Sequence, residues 1–327
     1  MKIKKLHIKN FKSIADLEII EPNPFTVFVG PNGSGKSNIF EALEFFKSAF
    51  NIRLYGGYEA LQNRKLPDSE YIVHIETDLF SDNNYTGKYI NYNEYVGTSK
   101  VNVTENLLNG TSDIRQEKMR LLQDSIQRLF IDKTKLQKIN YQDNFKLTFS
   151  GDNLEKVLRR LLDDEYKNEE ITDWLSLFLP GFEKVDVISS GLSGTDTLLI
   201  YETDIEKPFT KDLLSDGTYN ILALLTAVFQ SDEPQFLCIE EPENGLTPDV
   251  IKEMVTLFRN ACEEKGHYIW LNTHSQSLVS QLTADEIITV NKIKGETKIK
   301  QFKGKDFHGL RMDEAWLTNT LGGGLPW

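Results

Sequence analysis

Cysteine is scarce: among 327 residues only Cys238 and Cys262 carry a thiol. Two thiols with neither metal-site spacing nor the density of a stapled scaffold exclude a disulfide framework and a zinc ribbon. Cys238 lies in an apolar run and reads as a small core residue, and a reducing cytoplasm is the expected compartment. Long apolar runs are absent too. None reaches the ~18 residues needed to cross a bilayer, so no membrane partner is expected. The start, Met1-Lys2-Ile3-Lys4-Lys5, lacks the apolar stretch and cleavage site of a signal peptide. There is no internal repeat and no low-complexity segment. Positive charge is also in short supply, with 37 Lys and Arg against 49 Asp and Glu and a formal net charge of −12. That balance excludes a protein that coats nucleic acid through its whole surface. Lysines do gather at Lys2, Lys4, Lys5, Lys9 and Lys12, and again from Lys292 to Lys305. They are read as solvated strand faces, with a patch facing nucleic acid as the alternative.

The hydrophobic share of 39% and charged share of 26% are those of a globular chain, long enough for one large domain or two modest ones. Lys2 to Ile8 and Leu17 to Ile20 read as strands, followed by a turn at Pro22-Asn23-Pro24. Phe25-Thr26-Val27-Phe28-Val29 reads as a strand buried on both faces. From Lys36 the period changes: Ile39, Leu43, Phe46 and Phe50 recur at helical spacing. Residues 70–105 look like meandering strands with a turn at Asp82-Asn83-Asn84. The stretch 112–180 reads as helical, through Leu121, Leu122, Ile126 and Leu129 and then Leu154, Leu158, Leu161 and Leu162. Strands return at Val185 to Ile188 and Thr197 to Ile200. A helix over about Thr218 to Phe229, a strand at Phe236 to Ile239, a helix over about Pro248 to Glu264 and a strand at Tyr268 to Leu271 follow. Both ends of the chain therefore alternate strand and helix around a mixed insertion, an α/β pattern.

The chemistry sits at the strand ends. Gly30-Pro31-Asn32-Gly33-Ser34-Gly35-Lys36-Ser37 has the Gly-x-x-x-x-Gly-Lys-Ser spacing of a phosphate loop, between a predicted strand and a predicted helix. Glycines let backbone N–H groups close around phosphate oxygens, which the helix N-terminus also attracts. Lys36 is placed to reach the β- and γ-phosphates of ATP, Ser37 to ligate Mg²⁺, and Asn38 to border the nucleotide. In the second site, Phe236-Leu237-Cys238-Ile239 delivers Glu240 and Glu241 to a strand end. Successive strand residues point to opposite sides, so the two acids take different jobs unless the strand has ended. Glu240 is assigned to Mg²⁺ through water and Glu241 to the attacking water as general base. Leu214-Ser215-Asp216-Gly217-Thr218 precedes an apolar helix and reads locally as a helix cap with a turn glycine. Leu271-Asn272-Thr273-His274-Ser275 ends a strand in polar residues, and His274 falls at the end that faces the ligand crevice in an open α/β sheet.

Taken in order, the phosphate loop, the Leu214 to Thr218 signature, the acid pair in Ile239 to Leu246 and the Thr273-His274-Ser275 switch resemble the ABC-type ATPases of the SMC, RecF and OLD group. The opening Ile8-Lys9-Asn10-Phe11-Lys12-Ser13-Ile14 resembles the start of such proteins. The resemblance covers about residues 1–50 and 210–282. It implies an α/β P-loop NTPase of ABC type, with an antiparallel β subdomain and an inserted helical lobe. Residues 1–60 and 181–290 would form the nucleotide-binding core, 61–110 a β-rich segment, 111–180 the helical insertion and 291–327 a C-terminal extension. It further implies that Ser215 and Gly217 touch the γ-phosphate held by a second copy, so that ATP is sandwiched in a homodimer, and that His274 contacts the same phosphate. Gln62 is the candidate for the group's metal-associated glutamine. Thr247 departs from OLD-like relatives, which carry histidine after Gly-Leu. The roughly 150-residue insertion lacks the sustained heptads of SMC arms. Only about 45 residues follow Leu282, too few for the nuclease domain of OLD proteins. The end, Ala315 to Gly324, resembles stand-alone ATPases paired with a separate nuclease or toxin in anti-phage defence. That is the expected function, with a RecF-like ATPase on duplex DNA as the alternative.

Overall fold

The computed structural model describes residues 2–47, 61, 63, 65, 72–77, 88–95, 98–105, 120–132, 144–189 and 196–322. The chain divides into two compact units: Met1–Arg128 with Gln235–Cys238 and Gly266–Trp327, and Leu129–Pro234 with Ile239–Lys265.

The first unit begins with a hairpin, β1 (Ile3–Phe11) and β2 (Ile14–Ile20). Its tight turn places Lys12 at φ +49°. β1 also pairs antiparallel with β4 (Ile72–Thr77), and β5 (Lys88–Tyr95) and β6 (Thr98–Glu105) extend that sheet in the order β2-β1-β4-β5-β6. The expected turn at Asp82 to Asn84 lies outside the described residues. The second sheet is built on β3 (Phe25–Val29), whose five residues are all buried. Its order is β14-β13-β3-β12-β11-β7, with β7 (Ile126–Leu129), β11 (Phe236–Glu240), β12 (Tyr268–Thr273), β13 (Ile287–Ile293) and β14 (Glu296–Gln301). β12 and β13 both run parallel to β3, which explains continuous apolar strands in place of alternation. β13 and β14 join through Lys294 and Gly295, at φ +51° and +80°, the two positive values that a tight hairpin turn requires.

One helix, α1 (Lys36–Lys47), covers a face of this sheet. It buries Ile39, Phe40, Leu43 and Phe46 at the spacing seen in the sequence; Phe50 lies outside the described residues. Phe28 meets Phe40 edge-on at 5.6 Å and Trp270 at 5.3 Å, and Phe236 meets Trp270 at 4.8 Å, within the separations that favour aromatic pairs. Arg128 pairs with Glu44 at 3.0 Å and Glu41 at 3.6 Å, tying β7 to α1. The helix expected through Leu129 is shorter: residues 120–125 are helical, and Ile126–Leu129 form strand β7. Helical spacing of apolar residues was overridden by the backbone hydrogen bonds that the neighbouring strand offers.

The second unit packs helices on a small sheet, β10-β9-β8, of β8 (Phe182–Ser189), β9 (Asp196–Glu202) and β10 (Phe209–Thr210). The helices are α2 (Leu154–Leu162), α3 (Glu165–Phe178), α4 (Asp216–Phe229) and α5 (Pro248–Glu264). α4 is buried almost all round and forms the centre of this unit. The Tyr219 hydroxyl donates to the Gly151 carbonyl at 2.9 Å, and burial pushes its pKa up to about 12. Two further short helices, α6 (Gln276–Val279) ahead of β13 and α7 (Met312–Leu317) after β14, belong to the first unit. Among the described residues no helix is long and apolar enough to cross a membrane.

The aromatic contacts at the centre of the first unit carry its stability. Phe28→Ala should therefore lower unfolding free energy by about 3–5 kcal/mol, read as a reduced midpoint in chemical denaturation of the full chain.

Candidate functional site

Each unit carries one half of the predicted chemistry. In the first, β3 ends at Val29 and α1 begins at Lys36, so the phosphate loop joins a fully buried strand to a helix. Gly33 and Gly35 lie at φ +73° and +102°, conformations that side chains other than glycine rarely adopt. The buried Lys36 ammonium folds back over the loop, donating to the carbonyls of Gly30 at 2.7 Å and Pro31 at 3.2 Å. Gly30 has a steric reason of its own: a Cβ there would overlap the Val290 carbonyl of β13.

The loop is braced from residues far away in sequence. The buried Thr297 hydroxyl on β14 donates to the Ser34 carbonyl at 2.9 Å and lies 2.6 Å from the Ser13 hydroxyl. Thr297 N–H donates to the Ser13 carbonyl at 2.8 Å, and the Asn38 amide donates to Ser13 Oγ at 2.6 Å. A Cβ at Gly35 would collide with Thr297 Oγ1 and come within 2.6 Å of Ser13 Oγ. Beside Ser13, Lys12 pairs with Glu41 of α1 at 2.6 Å. Sequence reading placed Ser13 in a familiar opening segment and missed Thr297 altogether. Nothing in a Glu-Thr-Lys strand signals a loop more than 250 residues away.

β12 lies beside β3 in parallel register, Asn272 opposite Phe28 and Thr273 opposite Val29. His274 therefore follows next to Gly30, and its side chain is exposed. Thr273 Oγ1 accepts from Ser275 N–H at 2.9 Å, and Ser275 caps α6. Asn32, Gly33, Ser34, Gly35, Lys36, Ser37, Asn38 and His274 are thus brought to one end of this sheet. Gln62 lies outside the described residues.

In the second unit, Ser215 is the N-cap of α4, its hydroxyl accepting from Thr218 N–H at 3.0 Å. Gly217 in the first turn lies against Gly245: a Cβ at Gly217 would overlap the Gly245 carbonyl, and Gly245 itself needs φ +76°. Asn220, one turn further, donates to the carbonyls of Pro242 at 2.7 Å and Asn244 at 3.0 Å. The signature is therefore locked to the loop that follows the acid pair. β11 ends at Glu240, and Glu241 takes φ +48°, an uncommon conformation outside glycine. The strand ends at Glu240, so strand alternation no longer sets where Glu241 points; its left-handed backbone and the turn do. Asn244 holds the turn, its backbone N–H donating to the Glu241 carbonyl and its amide to Glu241 Oε2, both at 3.2 Å. Glycine residues, one lysine and a helix N-terminus suit a nucleotide triphosphate, and Ser37 and Glu240 are oxygen donors of the kind Mg²⁺ takes. Among the described residues no three His, Cys, Asp or Glu cluster to hold an ion. Mg²⁺ bound mainly through substrate phosphates with one or two carboxylates needs no such cluster.

The fold and these motifs define a P-loop ATPase of the ABC type shared by SMC heads and RecF proteins. The profile of the family described as "AAA domain, putative AbiEii toxin, Type IV TA system" matches residues 25–129 and 80–280, and the chain belongs to that family. It is similar to the DNA replication and repair protein RecF of Lactococcus lactis subsp. cremoris (strain SK11), 25% identical over 268 residues and covering 73% of each chain. It is 22% identical to an ATP/GTP phosphatase of Helicobacter pylori (strain ATCC 700392 / 26695), with 93% of each chain covered. Among solved structures, the SMC head bound to the C-terminal winged-helix domain of ScpA superposes with a TM-score of 0.64 at 18% identity. That match covers 96% of this chain and 100% of the other, and it shows the shared fold.

The brace under the loop can be measured directly. Thr297→Val keeps the shape and removes the hydroxyl, so it should cost about 1–3 kcal/mol of stability. Thr297→Ser should recover at least half of that in the same denaturation experiment.

Proposed function

We propose that this ATPase is a switch: two copies close around ATP, and closure regulates a separate nuclease or toxin subunit in anti-phage defence. The observation that carries this reading is the contact of Gly217 and Asn220 with the Pro242 to Gly245 turn. Ser215 would meet the γ-phosphate held by the phosphate loop of the second copy. A shift at Ser215 passes through rigid backbone contact to the turn that carries Glu241, so closure and hydrolysis become one event. A ligand can move a two-state assembly only by binding one state better, and a phosphate that bridges two copies does so. The family description, with its toxin and toxin–antitoxin wording, supports the effector half of the proposal.

Within the site, backbone N–H groups from Gly33 to Ser37 would hold the phosphates and Lys36 would neutralise the β- and γ-oxygens. Ser37 and Glu240 would hold Mg²⁺, which when bound offsets phosphate charge. Glu241 would take the proton from the attacking water, with Asn244 holding its carboxylate in place. His274, beside Gly30, would hydrogen-bond the γ-phosphate. Cytoplasmic residence fits two buried cysteines that form no disulfide.

The RecF likeness favours a second reading, an ATPase acting on duplex DNA. Against it, lysines of both basic clusters are paired with carboxylates: Lys5 with Glu18, Lys12 with Glu41, Lys298 with Glu296 and Lys303 with Glu21. Those pairs offset the charge of four of the lysines that phosphate contacts would use.

Lys36→Ala should abolish detectable ATP binding. Glu241→Gln should bind ATP, lower turnover by about 10²–10⁴-fold and accumulate as an ATP-dependent dimer in size-exclusion chromatography. Wild-type turnover in Glu241→Gln would remove the general-base role. Ser215→Arg should keep ATP binding while losing both dimer and turnover; unchanged turnover would overturn the sandwich. Co-purification with neighbouring gene products tests the effector, and DNA-stimulated turnover with steep salt dependence would favour the second reading.

A further inference from the structure

β12 is buried along its whole length, and its alternate residues Tyr268 and Trp270 pack among Phe28, Phe40, Phe236 and Cys238. Period two brings Asn272 next on that face, opposite Phe28 in register. It is 2% exposed, and neither its amide nitrogen nor its carbonyl oxygen has a hydrogen-bond partner. Leaving such groups unpaired costs roughly five- to thirty-fold in the folded-to-unfolded ratio. Leucine has nearly the same shape and would fill the place without that cost. A second orphan lies in the phosphate loop itself. The buried hydroxyl of Ser34 also has no partner, and it sits 3.1 Å from where Gly30 would carry a Cβ. His274 directly follows Thr273, which pairs with Val29, the residue before Gly30. Asn272 thus lies unpaired on the strand beside β3, and Ser34 lies unpaired within the loop that β3 leads into.

We propose that Asn272 is a positioning residue of the hydrolytic site, its carboxamide holding a water beneath the γ-phosphate end of the loop. The amide donates to that water and the carbonyl accepts from it, and the water in turn hydrogen-bonds the His274 ring. His274 is then held in the orientation that meets the γ-phosphate, and the unpaired carboxamide is satisfied when the site is filled. Bridging water of this kind is nearly as good as a direct hydrogen bond where two to four polar partners are present. This inference rests on the reading of Gly30 to Ser37 as the ATP site, which Lys36→Ala tests by itself.

The deciding experiment measures thermal midpoint, kcat and KM for ATP in the full-length Asn272→Leu and Asn272→Thr variants. For Asn272→Leu the expected result is an unchanged or raised midpoint, a kcat lower by about 10–100-fold and a KM near that of the wild type. Asn272→Thr, which keeps a hydroxyl to hold water, should regain part of the lost kcat. A stabilised Asn272→Leu protein with wild-type kcat would overturn the proposal. So would a lowered midpoint with kcat intact, because Asn272 would then serve packing alone. If Lys36→Ala retains ATP binding, the error lies in the ATP-site reading and not in Asn272.

Discussion

The parallel seating of β12 against β3 is the contact on which the first unit's site depends. Thr273 sits opposite Val29, so the two strands end level, and the phosphate loop and His274 leave the sheet side by side. Parallel strands need crossover connections and bury both faces, which is why these strands are almost wholly apolar until their last residues. The aromatic contacts of Phe28 with Phe40 and Trp270 set the spacing between sheet and α1, and hence the height at which the helix N-terminus meets the loop.

The second unit solves a related problem with backbone in place of side chains. Gly217 and Gly245 approach so closely that neither tolerates a Cβ, and Asn220 closes two carbonyls of the same turn. A joint made of backbone contact and buried hydrogen bonds transmits displacement without slack, because packed interiors have few alternative arrangements. Glu241 stands at the start of that turn in a strained conformation, held by Asn244. Strain of this kind persists where surrounding structure over-determines it.

Much of this was legible in the chain order of residues. The strand at Phe25 to Val29, the helix from Lys36, and the helix over Pro248 to Glu264 appear where periodicity and capping put them. The phosphate loop is a local motif, because a tight loop and its flanking elements span only a few residues. The acid pair stands out because an apolar strand delivers it, whereas Leu214 to Thr218 and Thr273-His274-Ser275 read locally only as a helix cap and a polar strand end, their roles being implied by the family resemblance. Where reading failed, the causes were long-range. Ile126 to Leu129 have helical spacing yet form a strand, since the edge of a sheet supplied partners that a helix could not know of. Thr297 and Asn272 lie in segments whose local pattern says only strand.

Sequence alone determined the class of chemistry: glycine spacing that closes on phosphate, a lysine and a serine at a helix start, and carboxylates delivered by an apolar strand. These features are local, so neighbouring residues specify them. Tertiary structure decided how each group is held. It placed Thr297 and Ser13 against the phosphate loop, pressed Gly217 against Gly245, and left Asn272 buried opposite Phe28. The physical reason is that these contacts join segments distant in the chain, and their partners are chosen by strand order and register rather than by sequence spacing.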